Sequence, residues 1–254
     1  LADNIKRIIP QKLVADIETP ISTLLKISRN EKYSFLLESV EGGDQRGRFS
    51  LLGCNPDIIW KVKNQKVSIK SLNKDLDISF LSNKPIKSFK ELLNFSKIKR
   101  DKNEPPFPVL VGYFGYPMIR LMENITLNNH DEIKIPDAVM IRPKLVAVFD
   151  NIKDTINIMT AVYPSKKING NTAIDQAYKY IEKAIKNLNK DISVNTLSNN
   201  DKKNLIKFKS NYSKKEYFKI IKKAKSYIRK GDIFQVVPSQ RFQSKYTKDA
   251  VALY

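Results

Sequence analysis

The sequence has a single cysteine, Cys54, and a single histidine, His130, in 254 residues. One thiol excludes a disulfide within the chain and any zinc site built from several thiolates. A Cys–His catalytic pair would have to use these two residues, and nothing around either argues for it. His130 stands in the polar run Asn128-Asn129-His130-Asp131 and reads as a surface residue. Long apolar runs are also scarce. The longest, residues 108–119, contains two glycines and falls short of the about 18 residues a membrane span needs, so no membrane role is expected. The opening Leu1-Ala2-Asp3-Asn4 is not a charged region followed by an apolar one, so no secretory signal is read and a cytoplasmic protein is expected. A first residue other than Met suggests a fragment.

Acidic residues are few: 26 Asp and Glu against 46 Lys and Arg leave a net charge of +20. Such a balance would ordinarily point to nucleic acid. Only nine of the basic residues are Arg, however, and the lysines are spread from Lys6 to Lys248 instead of being gathered in one block. Phosphate and base recognition leans on the guanidinium fork, whereas dispersed Lys reads as solvated faces, so no nucleic-acid partner is expected.

What is present is a mixed pattern. Thr19 as N-cap and Pro20 at the first helical position open a helix to about Ser28. Residues 33–40, 48–53, 58–62 and 66–69 are strand-like, with a polar, Gly-containing connection at 41–47 and a turn at Asn55-Pro56-Asp57. Residues 88–98 and 171–188 carry apolar side chains at helical spacing, and 138–149 with 155–162 read as a hairpin. In the short strand 109–115, Gly112 and Gly115 predict a bulge or close backbone packing. Residues 189–211 are polar and read as a linker. Strands and helices mix without a repeating strand–helix unit, which predicts an α+β fold of layered, mostly antiparallel sheets with helices.

The most informative stretch is 231–242, Gly-Asp-Ile-Phe-Gln-Val-Val-Pro-Ser-Gln-Arg-Phe. A helix precedes it, with Ser213 and Glu216 as a capping box and Gly231 as its C-terminal stop. Residues 233–237 read as a buried strand. Gln235, Ser239, Gln240 and Arg241 then place hydrogen-bonding groups and one guanidinium where a small anionic ligand could be gripped. The plainer alternative is a strand whose polar residues face solvent.

Residues 231–242 and 36–53 (Leu-Leu-Glu-Ser-Val-Glu-Gly-Gly-Asp-Gln-Arg-Gly-Arg-Phe-Ser-Leu-Leu-Gly) closely resemble anthranilate synthase component I, and Gly112-Tyr-Phe-Gly-Tyr116 with Arg120 is similar to the same family. The resemblance covers nearly the whole chain but about the first half of such an enzyme. It implies an N-terminal regulatory domain at 1–188, the linker at 189–211 and the start of a truncated chorismate-binding domain at 212–254. It also implies a lyase that converts chorismate and ammonia to anthranilate and pyruvate in tryptophan biosynthesis. Mg²⁺, with ligands expected in the missing C-terminal half, and a glutamine amidotransferase subunit that supplies ammonia come with it. By the same resemblance Glu38 and Ser39 line an allosteric L-tryptophan pocket through which the end product inhibits its own synthesis, and Gln235 is the one active-site residue carried over. Relatives that add water to chorismate have Lys in its place. Pro238 departs from the family's usual Leu and predicts a bulge or strand end. Aminodeoxychorismate synthase component I, of folate synthesis, and a non-catalytic tryptophan-binding module are the competing readings. The fragment alone is expected to be inactive.

Overall fold

The computed structural model describes residues 6–28, 31–41, 45–98, 100, 104–126, 131–163, 169–192, 207–246 and 250–254. His130, residues 42–44 of the Gly-containing connection and 193–206 of the expected linker lie outside this set. The chain divides into two compact units, Leu1–Ser193 and Val194–Tyr254.

In the first unit, strands β1 (Arg7–Val14), β2 (Ser34–Glu41), β3 (Gln45–Lys63), β4 (Lys66–Ser71), β5 (Val111–Phe114), β6 (Ala138–Asp150) and β7 (Thr155–Val162) form one sheet. Its order is β1-β7-β6-β3-β2, with β4 on β3 and β5 on β6, and every pairing is antiparallel. Helices α1 (Pro20–Ile27), α2 (Pro85–Ser96) and α3 (Gly170–Leu188) accompany it, so the fold is α+β as expected. Thr19 caps α1 in a reciprocal box with Ser22, which satisfies two backbone donors that a helix start leaves unpaired. On α3 the buried residues are Ala173, Ala177, Ile181, Ala184 and Leu188. Three small side chains at four- and seven-residue spacings let this helix approach β7 closely.

The structure corrects the sequence reading in two places here. No element was expected before Thr19, yet β1 pairs along its whole length with β7. Its Pro10 is tolerable because an edge strand need not donate on its outer side. Residues 48–53 and 58–62 are not two strands parted by a turn; they belong to the 19-residue β3. Pairing with β6 continues through both halves, and the turn chemistry is spent on a bulge: Asn55 has φ 53, Pro56 lies opposite Pro143, and the register shifts between Pro56 and Ile58. Neither proline can donate to the ladder, so this is where an extra residue can be accommodated.

The bulge delivers Asp57 into the interior. Its two carboxylate oxygens each accept at 2.7 Å from Nε and Nη2 of Arg142, which is 0% exposed. The guanidinium carbon lies 4.0 Å from the ring centre of Tyr163 and 5.2 Å from that of Phe95. Such a two-pronged, stacked arrangement suits Arg and not Lys. Burial pushes the Tyr163 hydroxyl well above its ordinary pKa. Under α2, the fully buried Trp60 donates from Nε1 to Ser88 Oγ at 3.0 Å and packs against Phe89 and Phe114. Gly112 answers the expectation of close backbone packing, since a Cβ there would lie 1.8 Å from the carbonyl oxygen of Val139.

In the second unit, α4 (Lys214–Lys230) is preceded by β8 (Lys209–Ser210) and followed by β9 (Phe242–Gln243), which pair with each other. Lys209 and Ser210, placed by composition in the polar connection, are therefore paired residues of this unit. Ser213 and Glu216 form the capping box, and Gly231 closes the helix at φ 77, a left-handed conformation that costs glycine little.

Candidate functional site

The first cluster of interest lies on β2, an outermost strand of the sheet. Leu36 pairs with Leu52 and Glu38 with the buried Ser50, and the register then shifts between Glu38 and Val40. Ser39 occupies that irregularity. The extra residues are on β3, where 47–49 stand opposite Ser39, and an edge strand leaves one row of backbone donors and acceptors to meet something other than a neighbouring strand. Glu38 is half-buried on this edge; the side chain of Ser39 lies outside the described set. A carboxylate beside an edge backbone can meet an ammonium group and hydrogen-bond a polar ligand.

Cys54 lies on β3 near this strand and takes no part in any such chemistry. It is 1% exposed, its Sγ is 3.7 Å from the carbonyl oxygen of Ile27, and burial pushes its thiol up to about 12. At neutral pH it is a thiol in a packed interior and not a nucleophile.

The second cluster follows α4. The amides of Gly231 and Asp232 donate to Ile228 and Tyr227, turning the chain out of the helix. Residues 233–237 are not the buried strand that their composition predicts. No strand among the described residues pairs with them, and Phe234 and Val237 are 95% and 80% exposed. β-branched and aromatic residues favour a pleated surface only when a partner supplies the ladder and the packing. Gln235 is exposed in this unpaired run.

Beyond it the segment is tied down. Tyr217 donates its hydroxyl to the carbonyl of Pro238 at 3.3 Å, Gln240 Nε2 donates to Ser210 Oγ at 2.7 Å, and the Arg241 amide donates to Asn211 Oδ1 at 2.9 Å. The Asn211 amide donates back to the Arg241 carbonyl at 3.1 Å. Gln240, expected to grip a ligand, thus has its amide nitrogen on Ser210, while Ser239 is exposed. Ser210 and Asn211 are supports that the sequence reading missed. Their signal was local: Ser210 Oγ also makes the Ser-type turn that accepts the Tyr212 amide at 3.0 Å, a habit of short hydroxyl side chains. Glu38 and Ser39 belong to one unit and Gln235 to the other.

Among the described residues, no group of three or more His, Cys, Asp or Glu side chains is placed to hold a metal ion. The described residues do not fit a Mg²⁺ site. Among the described residues no helix is long and apolar enough to cross a membrane.

Comparison with known proteins gives this geometry a family. The chain is 35% identical over 251 residues to anthranilate synthase component 1 of Cereibacter sphaeroides, covering 98% of this chain and 50% of that protein. It is 34% identical over 255 residues to anthranilate synthase component 1 of Acetivibrio thermocellus, covering 97% and 50%. Among solved structures, anthranilate synthase component I from Streptococcus pneumoniae matches with a TM-score of 0.56 at 22% identity, over 94% of this chain and 50% of that one; at that identity the likeness is one of fold. The chain spans about half the length of the curated relatives it matches. The family described as chorismate binding enzyme matches residues 32–254, a span that holds the whole of β2 and the whole segment after α4, and the chain belongs to that family.

Proposed function

We propose that this chain is the front half of an anthranilate synthase component I, a cytoplasmic lyase that converts chorismate and ammonia to anthranilate and pyruvate in tryptophan biosynthesis. Residues 1–188 form its regulatory domain, and 212–254, with the paired strand at Lys209–Ser210, begin the catalytic domain. A glutamine amidotransferase subunit delivers the ammonia. The Mg²⁺ ligands belong to the part of the longer protein outside this sequence. The observation that carries the reading is the family match from residue 32 to residue 254, which includes both segments that resemble the family.

In this reading Glu38 and Ser39 hold L-tryptophan for feedback inhibition, and Gln235 orients the nucleophile at chorismate. Ammonia needs no proton removed before it attacks; water does, and general-base help is typically worth about 10²–10⁴ in rate. Glutamine has no usable basicity, but its amide both donates and accepts hydrogen bonds. A Gln at this position therefore suits amination and disfavours hydroxylation.

The test is product identity. In the full-length protein, chorismate with ammonium yields anthranilate and little isochorismate, and Gln235→Ala loses about tenfold or more of the aminating rate while keeping its fold. Full activity in that variant removes the positioning role. Release of aminodeoxychorismate or substantial isochorismate by the unmutated protein overturns the assignment of reaction.

A further inference from the structure

A cavity of about 40 Å³ lies in the first unit beside the Asp57 bulge, lined among others by Asp57, Arg142, Lys144, Thr160, Tyr163 and Tyr180. Two of these residues carry a buried polar atom with no partner in the protein, Nη1 of Arg142 and Oγ1 of Thr160. Arg142 is 0% and Thr160 2% exposed. Leaving either group unpaired away from water costs about as much as a lost hydrogen bond, and for a guanidinium more. Both unpaired atoms belong to residues that line this one cavity.

The electrostatics select its sign. Asp57 already accepts from Nε and Nη2 of Arg142 through both oxygens, so its charge is turned away from Nη1. Lys144, half-buried with Nζ 3.5 Å from the Tyr180 hydroxyl, brings a second cation to the wall. Asp75 is exposed where it meets the cavity. Burial, and then the nearby Arg142 charge, hold the Lys6 ammonium below its ordinary pKa. One water needs roughly 10–15 Å³ of such space. The volume therefore admits a halide or the head of a small carboxylate but not a bulky anion.

We propose that this cavity is a binding site for a small monovalent anion, a carboxylate or a halide, that accepts hydrogen bonds from Arg142 Nη1 and Thr160 Oγ1. It is independent of the reading of the chain as an aminating enzyme. The ligand stabilises the first unit by binding only its folded form.

Thermal unfolding of the chain at constant ionic strength tests this, with chloride, formate or acetate exchanged for gluconate. Small anions raise the midpoint saturably by a few degrees, about what 1 kcal/mol yields for a protein of this size. Thr160→Val, which keeps the shape and removes the hydroxyl, loses most of the response, and Thr160→Ser retains it. Chloride-35 NMR lines broaden with the native chain, and formate reverses the broadening. Which of formate and chloride gives the lower midpoint concentration distinguishes a carboxylate site from a halide site. A midpoint that does not depend on anion size, with Thr160→Val simply more stable than the native chain, means that the cavity holds water only and overturns the proposal. So does an anion response that Thr160→Val leaves intact.

Discussion

At the scale of single residues, the buried pair of Asp57 and Arg142 is the most demanding feature of the first unit. Two charges out of water are tolerable only while each satisfies the other, and removing one partner strands the second at a cost of about 3–5 kcal/mol. Asp57→Ala is accordingly expected to destabilise the first unit by that amount in a urea titration. A double replacement of Asp57 and Arg142 by apolar residues of similar volume loses much less. Equal losses for the single and double variants would contradict the pairing account. Nothing local in the sequence marks this pair, because Asp57 in Asn-Pro-Asp reads as a turn residue and its partner is 85 positions away. Residues whose role is settled within one turn of helix were legible. Ser213, Glu216 and Gly231 cap α4 as their spacing predicts, because a cap is a contract between neighbours.

At the scale of elements, periodicity located the helices and most strands to within a few residues and failed where a partner strand decides the outcome. β1 lacks a regular apolar–polar alternation, contains Pro10 and buries only Ile9, yet β7 recruits it through backbone pairing. The apolar run 233–237 fails in the opposite direction, since its composition fits a strand and no described strand pairs with it. In the proposed reading, the edge position of β2 bears on regulation. With Glu38 half-buried and Ser39 in the register shift, a bulky side chain at 39 should obstruct a ligand there while sparing the catalytic domain. In the full-length protein Ser39→Phe is expected to raise the tryptophan concentration for half-inhibition by about tenfold or more, equivalent to ~1.4 kcal/mol, with uninhibited turnover near normal. An unchanged inhibition curve would place the tryptophan pocket elsewhere. This edge was legible as a motif, and the irregularity at Ser39 was not, because register depends on the partner strand.

At the scale of the whole molecule, the two units differ in kind. The first has a continuous sheet with helices and, among the described residues, packed apolar clusters around Trp60 and around Val146. The second has a helix with no buried residue, and a motif segment held by a two-residue strand pair and a few side-chain bonds. A unit that buries so little of its own apolar surface has little to offset the entropy of ordering its chain. The curated relatives that the chain matches are about twice as long. Composition could bound the class of protein, excluding thiolate metal sites and disulfides, but only the long motif segments carried the function.

The most direct measurement is therefore anthranilate fluorescence from chorismate, Mg²⁺ and ammonium, followed with purified residues 1–254 and with the full-length protein side by side. The account predicts no detectable anthranilate from residues 1–254 and steady formation by the full-length protein. Anthranilate from residues 1–254 alone, or none from the folded full-length protein, would contradict it.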